Sequence, residues 1–250
     1  MKALNLLFGV CMIMATTSAN STTDESNNWQ QTKQQDKTSI GKASIGKDSI
    51  DKVQDGEGNV YRTVTIGHQT WLAENLRVTQ FQDGSKVNSG FIPDDDENKL
   101  LKYGRLYDWN DVADKRNLCP DGWRVASDED WQELERSIGI AEPELNILGW
   151  RGEKDIAITL KAEQADTLFR RFDQSQVNKF NFSATPAGVK LGKWYITQGM
   201  YTEFWTSSSA SEKEAFARTL AYSWWNSHKG EIRRATLTKS HMFSVRCVKI

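Results

Sequence analysis

Tryptophan is the residue that most constrains this chain. Ten of its 250 residues are Trp, as many as Phe and more than the six Tyr. A buried indole covers a large area and carries an N–H that needs an acceptor, so the fold must offer large apolar sites edged with oxygens. Trp29 is the lone aromatic of residues 20–52, and the other nine Trp fall later. The aromatic weight therefore marks a folded region from about Val53 to Ile250, and the length allows one to two domains.

Charge excludes several classes of partner. Lys plus Arg number 32 and Asp plus Glu 33, a net charge of −1, so nothing favours nucleic acid or an anionic membrane surface. Four Pro and 17 Gly exclude collagen-like and proline-rich chains.

The first residues follow the order of a secretory signal. Met1-Lys2 supplies the charge, Leu4 to Ala15 the short apolar run, and Thr17-Ser18-Ala19 the small residues for cleavage after Ala19. The run is too short to span a bilayer, and no later segment is apolar enough to do so. Cys11 lies inside the apolar run without the small residue expected before a lipidated cysteine, so it reads as lost with the signal. The expected location is secreted, periplasmic or cell-surface.

Residues 20–52 are polar and repetitive. Ser39-Ile40-Gly41-Lys42, Ser44-Ile45-Gly46-Lys47 and Ser49-Ile50-Asp51-Lys52 recur every five residues, a spacing that suits neither a helix face nor a strand face. A flexible tether is expected, with cell-wall attachment as the functional alternative. Two cysteines remain after signal removal, Cys119 and Cys247. An even count in an exported protein favours one disulfide, worth about 4–5 kcal/mol at most for so long a loop; two buried free thiols are the rival reading.

Local patterns predict several elements. Asp55-Gly56-Glu57-Gly58-Asn59 reads as a turn. Val60–Ile66 alternates as a strand with Val60, Arg62, Val64 and Ile66 on one side, and Gln69–Ala73 is its hairpin partner. Ser127-Asp128-Glu129-Asp130 opens a helix with a capping box; Trp131, Leu134 and Ile138 share one face, and Gly139 ends it. Ala157–Phe172 has near-helical spacing. Strands are expected at Lys193–Thr197, Glu203–Ser207, Ala215–Tyr222 and Met242–Val248, with Ser223–Ser240 as a loop. Short late strands around one clear helix argue for an α+β domain with much loop.

These segments also carry a resemblance. Its blocks are Asp55–Leu76, Tyr103-Gly104-Arg105-Leu106-Tyr107-Asp108-Trp109, Leu118–Trp131, Phe182-Ser183-Ala184-Thr185-Pro186-Ala187-Gly188, Phe204-Trp205-Thr206-Ser207-Ser208 and Phe243–Val248. In this order, over residues 53–250, they resemble the Fibrobacter succinogenes major paralogous domain, departing at Ala126 (Pro in the family) and Ala187 (Gly). The resemblance implies an exported bacterial protein of C-type lectin-like fold: short antiparallel strands, two helices and long loops. It also implies a bridge from Cys119 to Cys247. It implies little about function.

No catalytic set is visible. His68, His228 and His241 are far apart and without metal-ligand spacing, and each reads as a turn or surface residue. Formylglycine-generating enzymes share the lectin-like fold and use free cysteines, which a bridge would remove, so that activity is a remote alternative. No cofactor is expected. The tripeptides Trp109-Asn110-Asp111 and Glu142-Pro143-Glu144 stand in the reverse of the order that lectin calcium sites use. The acids Asp94, Asp95, Asp96 and Glu97 read as a solvated loop, with a weak calcium site near Asp94, Asp95 and Asp96 as the alternative.

The tryptophans divide. Trp71, Trp109, Trp123, Trp131 and Trp205 read as core, with Trp123 packed on Trp131. Trp150, Trp194, Trp224 and Trp225 are free to meet a ligand. Adjacent strand residues face opposite sides, so Trp224 and Trp225 cannot both enter one core. The expected function is a non-enzymatic binding module for a polysaccharide or a surface protein, through Trp224, Trp225, Asn226 and Arg233. The alternative is a structural component of a cell-surface assembly.

Overall fold

The structure, a computed structural model, describes residues 51–153, 155–163, 173–222, 227–228 and 230–250. The expected signal segment, Cys11, Trp29 and nearly all of the expected tether lie outside the described residues.

In chain order the elements are β1 (Lys52–Gln54), β2 (Val60–Ile66), β3 (Gln69–Leu72), α1 (Glu97–Tyr103), β4 (Tyr107–Asp108), α2 (Trp109–Val112), β5 (Trp123–Val125) and α3 (Asp128–Ile138). Then come β6 (Gly149–Arg151), β7 (Val189–Leu191), β8 (Trp194–Ile196), β9 (Tyr201–Ser209), β10 (Glu214–Ala221), β11 (Ile232–Thr238), β12 (Met242–Phe243) and β13 (Cys247–Lys249). The strands form three antiparallel sheets, ordered β1-β2-β3-β13-β5, β6-β11-β10-β9 and β4-β12-β7-β8. With three short helices among the described residues, the class is α+β.

The predicted turn and hairpin are present. The Asp55 carboxylate accepts from the amides of Glu57 (3.0 Å) and Asn59 (2.9 Å), closing the loop before β2. β2 pairs with β3 through Val64 opposite Trp71. The expected inward side of β2 is only half right. Tyr61 is buried and Val60 is 46% exposed, because Ile66 serves one apolar cluster and Tyr61 another.

α3 forms as its sequence dictates. The Asp130 amide donates to Ser127 Oγ (3.2 Å) and the Ser127 amide to the Asp130 carboxylate (2.7 Å). Gly139 ends the helix with φ +115°, a left-handed conformation that glycine adopts without penalty. Trp131 packs edge-on against Trp71 (centroids 5.3 Å apart) and not against Trp123. The five-stranded sheet separates the two: Trp123 belongs to the cluster that holds the cysteines and Trp205, Trp131 to the one around Trp71 and Phe182. The indoles of Trp71, Trp109 and Trp205 donate to Gln69, the Thr206 carbonyl and the Tyr107 carbonyl, whereas buried Trp131 Nε1 has no acceptor among the described residues.

Four other expectations are corrected. Ile156–Leu160 is a 3-10 turn, not the start of a helix, and residues 164–172 lie outside the described residues. Its N-terminal neighbour Asp155 is left-handed (φ +79°) and gives no side-chain cap, so the α-helix lacks a start. Met242–Val248 is two strands in different sheets, broken at Ser244–Arg246 where Arg246 turns inward. Much of the expected loop Ser223–Ser240 is β11, an interior strand of its sheet. Helix α1, capped by Asp96, starts inside the acids Asp94–Glu97 that read as a solvated loop; α2, capped by Asp108, has no counterpart among the expected elements.

Charge inside the fold explains why β11 escaped notice. Arg218 and Arg234 are register partners on the α3 side of the β6-β11-β10-β9 sheet, and Arg151 lies on the same side. They meet two carboxylates of α3. Asp128 binds Arg218 (2.6 Å) and Arg234 (2.7 Å), and Glu135 binds Arg218 and Arg151 (both 2.7 Å). Burial alone would raise the Asp128 pKa, yet Arg234 and Arg218 hold it below the ordinary range. A strand that buries paired arginines looks like a solvated loop when only polarity is read.

The disulfide Cys119–Cys247 is formed, tying the segment before β5 to β13. The preceding residue, Arg246, is fully buried and has no carboxylate partner in an ion pair among the described residues. Its guanidinium donates to Asn75 Oδ1 (2.8 Å) and to the carbonyls of Leu72 (2.8 Å), Phe182 (2.7 Å) and Ser183 (3.1 Å), and stacks on Phe182. Burial lowers its pKa to about 9.

Candidate binding site

The second face of the β6-β11-β10-β9 sheet is covered at one end and open at the other. Toward Ala215, Ala217 and Trp205 it packs into the cluster of Val189 and Phe243. Toward β6 that cover ends, leaving a cavity of about 360 Å³ lined by Trp150, Val189, Thr197, Tyr201, Glu203, Thr219 and Arg233.

Strand register builds this site. Trp150 pairs with Arg233, Arg233 with Thr219, and Thr219 with Glu203, so four residues from four strands form one row across the sheet. Directly opposed residues share a face, with their Cβ atoms about 5 Å apart. Thr219 Oγ1 donates to Glu203 Oε1 (3.2 Å). Burial raises the Glu203 pKa to about 7, against the smaller opposing pull of Thr219 and Arg233.

The edge of the row is aromatic. The His228 ring stacks on Trp150, centroids 5.0 Å apart and planes 3° apart, while His228 Nδ1 shares a hydrogen bond with Glu231. His228 is thus the turn and surface residue expected, and it has two neighbours, Trp150 and Glu231, that its local sequence did not point to.

Of the expected ligand residues, Arg233 lines the cavity, whereas Trp224, Trp225 and Asn226 lie outside the described residues. Trp150 is in the site. Trp194 is not among its lining residues; it stands 64% exposed on the edge strand β8 with Lys193 over its ring. Glu203 and Thr219 were missed because their roles depend on cross-strand register, which no local pattern carries.

The acids considered for calcium have other duties. Asp94 pairs with Lys99, Asp96 caps α1, and Glu142 pairs with Arg136. Asp111 accepts from the amides and side chains of Asn88 and Ser89. Among the described residues no three His, Cys, Asp or Glu side chains converge as metal ligands, and no helix is long and apolar enough to cross a membrane.

Fold and site together define a disulfide-closed α+β domain with an aromatic, charged groove on one sheet face. A family model described as Fibrobacter succinogenes major domain matches residues 64–249, and the chain belongs to that family. No curated protein and no solved structure matches the chain.

Proposed function

We propose that the chain is an exported, non-enzymatic binding module that holds a polysaccharide in the groove of Trp150, Arg233, Thr219 and Glu203. The carrying observation is that aromatic and charged side chains share one row on an open sheet face while the rest of that face is packed. An indole offers a flat apolar surface to a sugar ring, and flanking polar groups fix its orientation. Trp224, Trp225 and Asn226, which precede β11 in sequence, join the proposed contact set. A C-type lectin-like arrangement is part of this reading; the mid-chain to last-strand disulfide supports it.

Glycan-array screening of the full chain tests the proposal, with Trp150→Ala and Arg233→Ala as controls. Capture of a glycan that both substitutions weaken at least tenfold is the expected result. Glycan binding unchanged by both removes the groove. A surface protein recovered by crosslinking, with no glycan bound, replaces polysaccharide by protein as the ligand.

A further inference from the structure

The groove's charges narrow the ligand class, an inference that rests on the binding reading above. Arg151, Arg218 and Arg234, on the other face of the same sheet, are each bonded to a carboxylate. Arg233 makes no ion pair and no hydrogen bond among the described residues. The one acid that shares its cavity, Glu203, uses one oxygen to accept from Thr219, and its second oxygen has no hydrogen-bond partner among the described residues. An open groove thus holds an unpaired cation and an acid with an uncommitted oxygen. They sit two strands apart, about 10 Å between backbones, beside an indole.

We propose that the groove selects an acidic glycan, with a uronate carboxylate held between the Arg233 guanidinium and the carboxylic acid form of Glu203 and the sugar ring against Trp150. The guanidinium supplies charge-assisted hydrogen bonds, and the protonated acid donates one more; an ionised Glu203 would instead repel the ligand. Burial already favours that protonated form up to about pH 7. The described residues that line the cavity with Glu203 are Thr219 from β10, Arg233 from β11, Trp150 from β6, Val189 from β7, Thr197 just after β8, and Tyr201 from its own strand. Arg233 is the charged one among them, and it acts in the opposite sense to burial. Binding therefore requires a bound proton, and affinity falls about tenfold per pH unit once Glu203 ionises.

Calorimetric titration of the full chain with tetragalacturonate and with its methyl ester, at pH 5.5, 7 and 8.5, tests this. The acid form is expected to bind and to weaken at least tenfold between pH 5.5 and 8.5, with little binding of the ester. Glu203→Gln keeps a donor, so it should bind tetragalacturonate with a flattened pH profile, and Arg233→Gln should lose at least tenfold. Ester binding equal to or tighter than acid binding, lost in Trp150→Ala, overturns the acidic-ligand proposal and leaves the groove standing. Tetragalacturonate affinity independent of pH in the wild-type chain overturns the role of Glu203. No binding of either form, with another glycan held through Trp150, ends the uronate assignment alone; no glycan held at the groove ends both readings.

Discussion

Arg233 and Arg234 are neighbours on β11 that face opposite sides of one sheet: Arg233 lines the open groove, and Arg234 is buried against Asp128 at 2.7 Å. Their truncations should separate. Removing Arg234 takes away one of the two arginines that hold buried Asp128 and leaves Arg218 as its partner, so Arg234→Ala should cost on the order of 2 kcal/mol. Arg233→Ala should stay within about 0.5 kcal/mol of wild type. Urea midpoints of the two variants measure this, and equal shifts would contradict the two-faced strand.

Glu203 predicts a pH dependence of stability. Its folded pKa, about 7, lies above the ordinary glutamate value of 4.5, so folding favours the protonated form. The stability this contributes is complete below the unfolded value and declines as pH rises toward 7. Glu203→Gln removes the ionisation. Relative to wild type, the variant should gain stability between pH 5 and pH 8, by up to about 3 kcal/mol. Denaturant titrations at the two pH values decide it; a constant difference would mean that Glu203 titrates normally.

The Cys119–Cys247 bridge closes a span of 128 residues. Replacing both cysteines by serine should cost about 2–5 kcal/mol. Thiol titration of the denatured, unreduced protein should find neither Cys119 nor Cys247 free. Two reactive thiols there would remove the bridge.

Gly104 has φ +71°, and a Cβ at this position would meet Asn75 Cβ at 2.6 Å and the Leu76 carbonyl at 2.7 Å. Backbone cannot yield as a flexible side chain can. Gly104→Ala should therefore destabilise by more than the roughly 1 kcal/mol of an ordinary glycine replacement, on the order of 2–3 kcal/mol. A thermal midpoint equal to wild type would refute the close approach.

Much of the fold was legible where a local rule dominates. Ser127, Asp130 and Gly139 mark both ends of α3, and the β2–β3 hairpin follows from alternation and a turn. The family resemblance, carried by six ordered blocks, agrees with the matched residues 64–249. Legibility failed where polar residues go inside. Arg234 and Arg246 are charged and buried, so β11 was read as loop and Met242–Val248 as one strand. The groove was half visible. Arg233 was singled out and Trp150 was among the tryptophans left free for a ligand. Glu203 and Thr219 join them only through pairings made between strands distant in the chain.

The place of β13 between β3 and β5 has a consequence for biogenesis. Residues 247–249 are an interior strand of a sheet whose other strands lie in residues 52–125, so a growing chain exposes β3 and β5 with an empty slot between them. Pairing across so long a separation is slow, and the vacant edges can recruit a strand from another molecule. A product cut short after Phe243 would keep that slot permanently. The sheet therefore closes only once residues 247–249 are made, and strand exchange is the expected failure of copies truncated before them.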